Sequence, residues 1–320
     1  MNGTNRNIII ALFALLVGIV VLLLFVGGLW LLLHEQREEP PADRPRTDER
    51  VLPAPKGPEH VRQERRALVE EVRRLTAQGG AKFSVYLVYP KEGTTPLIAD
   101  EEERRAASMI KVFILACAME KVKAGELHLD DWLRIEADDK VGGAGVSAGY
   151  RDGTALSVEM LLRLMIAESD NTATNMMIDR LGMAEINRWM KAHGCRASRL
   201  QRKMMDTKAV REGLENYTSA RDLGEFFLRL YRSECVGEPY DGKMRDMLLA
   251  QTDTECFPRA LPKVRIAHKT GELDGLYSDG GIFYGENDND MILVILADDL
   301  ESRGHAIERM REIARCAAGA

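Results

Sequence analysis

The sequence predicts an α/β protein of the α+β kind, with one antiparallel sheet flanked by terminal helices and an all-helical lobe inserted into it. A membrane-spanning helix is expected ahead of both. Three observations carry this reading. Strand-like segments lie near both ends of the folded part, and helix-like segments fill its middle. Residues 8–33 are an unbroken run of 26 apolar or glycine residues. Strands from both ends pair most simply into one sheet, covered by the helices that adjoin them in sequence.

The apolar run comes first. A bilayer core needs roughly 20 such residues in a helix. A cleaved signal peptide has an apolar stretch of about 7–15 residues and a small-residue cleavage site. Here His34-Glu35-Gln36-Arg37 follows directly. Residues 1–33 are therefore expected to be an uncleaved anchor, with the chain single-pass in the cell membrane. The charge flanks alone do not orient it. A long C-terminal domain can be translocated largely regardless of charge, and the chemistry below belongs outside, so an extracytoplasmic domain is expected. Residues 34–59 hold six of the eleven prolines among mixed charges and read as an extended stem.

Residues 60–320 form the folded part. Val61, Leu68, Val72 and Leu75 recur at helical spacing, and Gly79-Gly80 stops that helix. Phe83, Val85, Leu87 and Tyr89 alternate along a strand, with a partner strand near 96–99. Residues 108–125 read as a helix apolar nearly all round, hence buried. Further helices are expected at 157–168, 172–181, 184–193 and 219–232, the last opening on Ser219 and Asp222 as a capping box. Residues 264–268, 281–284 and 291–297 look like strands. A closing helix carries Ala306, Met310, Ile313 and Ala317 on one face. The helical lobe is thus expected at about 111–245.

Composition narrows the function classes. The chain is 45% hydrophobic and 29% charged, an ordinary globular balance, and its net charge of −6 gives no reason to expect nucleic acid. Five cysteines include no C-x-x-C pair, so zinc or dithiol redox chemistry is not indicated. Cys235 and Cys256 could bridge a helical hairpin; Cys117 and Cys316 read as buried thiols. The six histidines lack metal-ligand spacing, and no metal or organic cofactor is implied. Gly143-Ala-Gly145-Val-Ser-Ala148 lacks the strand and helix that a dinucleotide loop requires, and reads as a mobile loop at a cleft rim. Glu101 to Arg105 reads as a solvated turn, and His268 as a strand residue rather than a base.

Three motifs carry chemistry: Ser108-Met-Ile-Lys111, Ser169-Asp-Asn171 and Lys269-Thr-Gly271, separated by 61 and 100 residues. Ser108 and Lys111 share a helix face. A serine hydroxyl is a poor nucleophile until a neighbour removes its proton. A lysine can do so only when neutral, which burial and a second cation, Lys269, promote. Ser169-Asp170-Asn171 joins two helices where a loop can face a cleft. Lys269 and Thr270, ending a strand, can bind a carboxylate, while Gly271 lets substrate backbone approach.

This set of motifs resembles the class A β-lactamases and penicillin-binding proteins, and the resemblance to the class A family extends in element order over residues 60–320. It implies a β-lactamase or transpeptidase-like fold and an acyl-enzyme mechanism. Ser108 would attack the lactam carbonyl, with the N–H groups of Ser108 and Glu272 as oxyanion hole. Lys111 would accept the proton and Ser169 would pass one to the departing nitrogen. Asn171 would hold the side-chain amide, and Lys269 with Thr270 the carboxylate.

Two departures bear on turnover. The family's deacylating glutamate falls on Met204, which has no proton-accepting capacity. Asp206, two residues on, is the nearest carboxylate and a possible deacylation base, the alternative being that it braces its loop. The stretch 276–281 lacks the arginine often found there. The leading expectation is a serine hydrolase that opens β-lactams through acyl-Ser108, with slow deacylation. A D-Ala-D-Ala peptidase is the first alternative. A membrane-tethered sensor of β-lactam or wall peptide is the second, disfavoured because only seven residues precede Ile8.

Overall fold

A computed structural model describes residues 58–285 and 289–319. The expected anchor at 8–33 and all but the end of the stem lie outside the described residues. Among those described, no helix is long and apolar enough to cross a membrane.

The described chain opens with α1 (Pro58–Thr76), followed by β1 (Lys82–Val88) and β2 (Ile98–Ala99). Near the C-terminus, β7 (Arg265–Leu273), β8 (Leu276–Tyr284) and β9 (Met291–Asp298) lead into α10 (Arg303–Ala318). These strands form one five-stranded sheet in the order β2-β1-β9-β8-β7, antiparallel throughout. The first strand pairs with the last, Val85 opposite Ile295, which joins the two ends of the folded part.

The period-two alternation of a strand divides each strand's side chains between two cores. Val85, Leu87, Leu293 and Ile295 face the layer made by α1 and α10. Tyr86, Val88, Ile292 and Val294 face the helical lobe. A strand covered on both sides needs no polar positions, and all eight residues of β9 are buried. That double covering explains why 291–297 reads as a continuous apolar run.

The lobe begins with a 3₁₀ turn (Ala107–Ile110) that passes directly into α2 (Lys111–Lys123). The helix expected from 108 thus starts in the tighter form. Nine consecutive residues of α2, Lys111 to Met119, are buried. Around it lie α3 (Val158–Ala167), α4 (Asn171–Leu181), α5 (Met183–Ala192), α6 (Thr207–Arg211), α7 (Ala220–Tyr231), α8 (Tyr240–Leu249) and α9 (Phe257–Ala260). Helices run past 245, and α7 packs on the sheet itself.

The lobe is also not purely helical. It carries β4 (Trp132–Arg134) paired with β5 (Ala155–Ser157), and β3 (Arg104–Arg105) is paired with β6 (Tyr217–Thr218). Segments of two or three residues are too short to show a period. The expected solvated turn at Glu101 to Arg105 is held by ion pairs from Glu101 to Arg221, Glu103 to Arg199 and Arg105 to Asp298. The Cys235–Cys256 bridge that the sequence left open is not formed. All five cysteines are free, and these two belong to different cores.

The contact between α7 and the sheet is tight at Gly224, where a Cβ would overlap the ring of Tyr86. Tyr86 is fully buried and has nowhere to move. Gly224→Ala is therefore expected to destabilise the fold by about 1–3 kcal/mol through overpacking, despite alanine's better helix propensity. Denaturant unfolding of the two proteins checks it.

Candidate active site

The site is assembled where the 3₁₀ turn, the α3–α4 junction and β7 meet. Ser108 lies in the turn, at a helix N-terminus where the first amides have no intrahelical acceptor. Ala107, just before it, adopts the left-handed conformation (φ 45°). So do Ser169 (φ 52°) and Met205 (φ 62°). Non-glycine residues rarely occupy this region, and such strain concentrates at functional sites. Three of the five such residues in the described chain border this one cleft.

Lys111 is fully buried and donates to the Ser169 carbonyl (2.6 Å), Ser169 Oγ (3.2 Å) and Asn171 Oδ1 (3.0 Å). Lys269, also fully buried, donates to the same Ser169 Oγ (3.1 Å) and to the Thr270 carbonyl (2.8 Å). One hydroxyl therefore receives both amines. Burial pushes the Lys111 amine well below the usual lysine range, and the Lys269 charge pushes it further, against partial support from Asp170. Burial brings Lys269 down to about 7, with Asp253 and Asp279 opposing the fall.

The turn packs directly onto β7. A Cβ at Gly271 would lie 3.1 Å from Met109 Cγ and 3.2 Å from Ala107 Cβ. The close approach this glycine permits is thus to the nucleophile's own segment, where the sequence suggested substrate backbone. Lys269-Thr270-Gly271 also sits inside β7 rather than at its end, because the strand runs on to Leu273.

β7 is an edge strand of the sheet. Leu273 and Leu276 close the Asp274-Gly275 turn as a directly bonded pair, so the next pair, Glu272 opposite Tyr277, is a non-bonded one in the alternating ladder. The Glu272 N–H therefore points outward from the edge. Glu272 and Ser108 line one cavity of about 290 Å³. Two N–H groups of this kind suit an oxyanion that develops there. A larger concavity of about 600 Å³ between α1 and Leu97 contains none of the motif residues.

Met204, Asn171 and Asp206 line the same cavity as Ser108. Met204 is held by both backbone groups: its N–H donates to Asn175 Oδ1 (2.8 Å) and its carbonyl accepts from Asn175 Nδ2 (3.1 Å). Asp206, a possible base from sequence, uses Oδ1 to accept the Ala209 N–H (2.9 Å) as the N-cap of α6. That is the bracing arrangement.

The loop 143–148 is at the cleft rim but is pinned there, not loose. Asp170 Oδ2 accepts from the Val146 and Ser147 amides (both 2.8 Å), and Asn171 Nδ2 donates to the Gly142 carbonyl (3.0 Å). Asp170 also caps α4 through the Ala173 N–H. Sequence reasoning missed this pinning role and that of Asn175. The cap pattern of Ser-Asp-Asn was visible, but nothing along the chain shows which loop a buried carboxylate will hold. His268 is a strand residue, as expected, and bonds Asp279 Oδ1 through Nδ1 (2.8 Å). Among the described residues no cluster suited to a metal ion occurs.

Residues 67–319 match the Beta-lactamase enzyme family. The chain belongs to that family. A β-lactamase of Streptomyces lavendulae is 27% identical over 237 residues, covering 72% of this chain and 78% of the relative. One from Rhodobacter capsulatus is 31% identical over 184 residues, covering 57% and 62%. Among solved structures, PBP-A superposes with a TM-score of 0.72 at 25% identity, over 79% of this chain and 95% of its own. A β-lactamase from Sphaerobacter thermophilus gives 0.70 at 28% identity, over 80% and 95%. The fold and the hydrolase class of the sequence reading are those of this family.

The buried Lys269 has a consequence for stability. Its affinity for a proton falls from an ordinary 10.5 to about 7; at roughly 1.4 kcal/mol per tenfold change this is about 5 kcal/mol against the charged form. Between pH 7 and 10.5 the unfolded chain holds a proton that the folded chain has shed, so wild-type stability rises across that window. Lys269→Met removes the group. It is expected to be more stable than wild type at pH 6, with the gap narrowing towards pH 9. Parallel unfolding curves at the two pH values would contradict it.

Proposed function

We propose that this protein is an active-site serine hydrolase that β-lactams acylate at Ser108, with slow deacylation. The observation that carries the reading is the convergence of Lys111 and Lys269 on one hydroxyl, Ser169 Oγ, beside the cavity that Ser108 lines. Depressed proton affinity lets one amine be neutral near pH 7 while the other stays cationic. In this scheme neutral Lys111 takes the Ser108 proton as Oγ bonds to the lactam carbonyl carbon. The oxyanion is held by the Ser108 and Glu272 amides. When the carbonyl re-forms, the C–N bond breaks and Ser169 delivers a proton to the nitrogen, replaced from the neighbouring amines. Lys269 and Thr270 receive the substrate carboxylate, and Asn171 the side-chain amide.

Slow deacylation follows from the wall opposite Ser108. Met204 has no basic atom, and Asp206 is engaged in capping α6. A general base must come within hydrogen-bond reach of its water. One comparison structure is a variant of PBP-A described as an acyl-enzyme complex with penicillin G, at 25% identity and a TM-score of 0.72. The same wall favours a second reading, a D-Ala-D-Ala peptidase in which an incoming amine rather than water resolves the acyl-enzyme. The apolar run at 8–33 supports a membrane anchor, and the proposed chemistry, not the run, favours a catalytic part outside.

Intact-mass measurement on the full-length chain in membranes treated with benzylpenicillin tests the reading. A covalent adduct of one penicillin that persists for many minutes, retained in the membrane fraction after alkaline washing, is the expected result. No adduct would remove acylation from consideration, and a washed-off chain would remove the anchor. Met204→Glu places a carboxylate on the cavity wall, and adduct loss is then expected to accelerate by at least about tenfold. An unchanged lifetime would show that position 204 does not face the deacylating water.

A further inference from the structure

Behind the carboxylate-binding end of the cleft lies a second ionisable pair that the reaction scheme does not use. Asp279 is fully buried on β8 and His268 nearly so on β7. Asp279 sits directly opposite Thr270 in the ladder, and Lys269 is opposite the adjacent Gly280. Asp279 Oδ1 meets His268 Nδ1 at 2.8 Å, and Oδ2 accepts the Phe257 N–H at 3.2 Å. An ionised carboxylate is costly to bury: burial pushes Asp279 above the usual carboxylate range, and its His268 and Phe257 partners pull it back. It is costlier still as a neighbour of a site meant to receive a substrate anion, because charges interact strongly across a low-dielectric interior.

The surroundings of this carboxylate are accounted for element by element. From β7 it meets His268; Lys269, one residue along and on the other face of the strand, feels its charge without touching it. From the stretch before α9 come Asp253 and Cys256, and from β8 itself Tyr277. β9 presents the apolar Ile295 opposite Asp279. Lys269 is thus the neighbouring amine on which this negative charge acts. Asp253 acts on it in the same direction and more strongly; Tyr277 Oη donates to Asp253 at 3.3 Å and Asp253 accepts the Glu255 amide at 3.0 Å.

Building on the proposed reaction, we propose that the Asp279–His268 pair is a positioning device for substrate-carboxylate binding: Asp279 adds to Asp253 in keeping Lys269 a cation, and His268 sets how much of the Asp279 charge Lys269 feels. Neither residue touches substrate. Their effect is carried by the field across one strand. The burial of Lys269 would otherwise strip its proton and leave Thr270 alone to hold the anion. This explains why a carboxylate lies beside an anion-binding site without opposing it: the charge it contributes is spent on the neighbouring amine.

The test uses the full-length chain and two variants that remove opposite halves of the pair. Asp279→Asn keeps an acceptor for the Phe257 N–H but no charge. His268→Asn keeps a hydrogen-bond donor to Asp279 and removes the ionisable partner. The Lys269 ¹⁵Nζ signal, followed by NMR through a pH titration, is expected to move down by about one pH unit in Asp279→Asn, the size of effect a nearby opposite charge exerts. In His268→Asn it is expected to stay or move up. The alkaline limb of Ser108 acylation should follow the same order. Loss of acylation in Asp279→Asn should appear as weaker binding of a penicillin with a free carboxylate, and be small for its methyl ester.

A Lys269 titration unchanged in both variants, with only lowered melting temperatures, would overturn the inference and leave the pair a latch between β8 and α9. The NMR readout does not depend on acylation. A chain that takes no penicillin yet shows the shifts would sink the proposed function and keep the electrostatic device, and the reverse result would do the opposite.

Discussion

Everything in the cleft follows from burying two amines against one hydroxyl. Lys111 and Lys269 have no exposed surface, and both donate to Ser169 Oγ. Two ammonium groups in a dry interior cannot both keep their protons cheaply. The fold answers with neutral acceptors close by, the Ser169 and Thr270 carbonyls and Asn171 Oδ1. It adds carboxylates one layer back, Asp170 towards Lys111 and Asp253 with Asp279 towards Lys269. An ion pair made directly to either amine would fix its proton and end its usefulness as a base. Keeping the anions at a remove leaves both amines near the point where they can exchange one.

Such a site is expensive to hold, and the holding explains local irregularities. Ala107, Ser169 and Met205 accept left-handed backbone where the chain must turn into the cleft. The 3₁₀ turn carrying Ser108 is pressed onto β7 so closely that position 271 tolerates no side chain without displacing Met109. Asp170 ties the 143–148 loop to the start of α4, and Asn175 ties Met204 by both of its backbone groups. Both ties come from α4 and its N-cap. A loosened α4 would therefore release the rim loop, the Met204 wall and the lysine acceptors together.

The parts legible in the sequence were those written in a local period or a short motif. The apolar face of the closing helix at Ala306, Met310, Ile313 and Ala317 is buried as its spacing required. The Ser219 cap does accept the Asp222 N–H, but the expected capping box is not completed, because the Asp222 carboxylate accepts from the amides of Arg196, Ala197 and Ser198 instead. The three motifs do meet, through Ser169. What stayed hidden depends on pairings distant in the chain. β7 and β8 are longer than their apolar cores at 264–268 and 281–284, because Lys269, Thr270, Ser278 and Asp279 are polar residues buried by tertiary contacts. The two-residue β3 and β6 carry no period at all. Asp279 and His268, eleven residues apart, read as ordinary strand polarity until the hairpin register places them side by side.

The same logic separates the two halves of the reaction. Forming an acyl-enzyme needs a nucleophile, a neutral amine, an oxyanion site and an anion site, and all four depend on the buried-lysine arrangement. Releasing the acyl group needs a base for water on the opposite wall, and that wall belongs to a different structural unit, the 199–217 loop held by Asn175 and the Arg199–Tyr217 bridge. That loop is fastened by backbone and side chains together: Arg202 pairs with Glu215, and Leu200 and Met204 pack into the core of the lobe. The methionine at 204 therefore contributes to that core and offers no base to water. In the proposed scheme the lifetime of the acyl-enzyme thus turns on a side chain whose backbone is held through Asn175 by the same helix that offers Asn171 to Lys111.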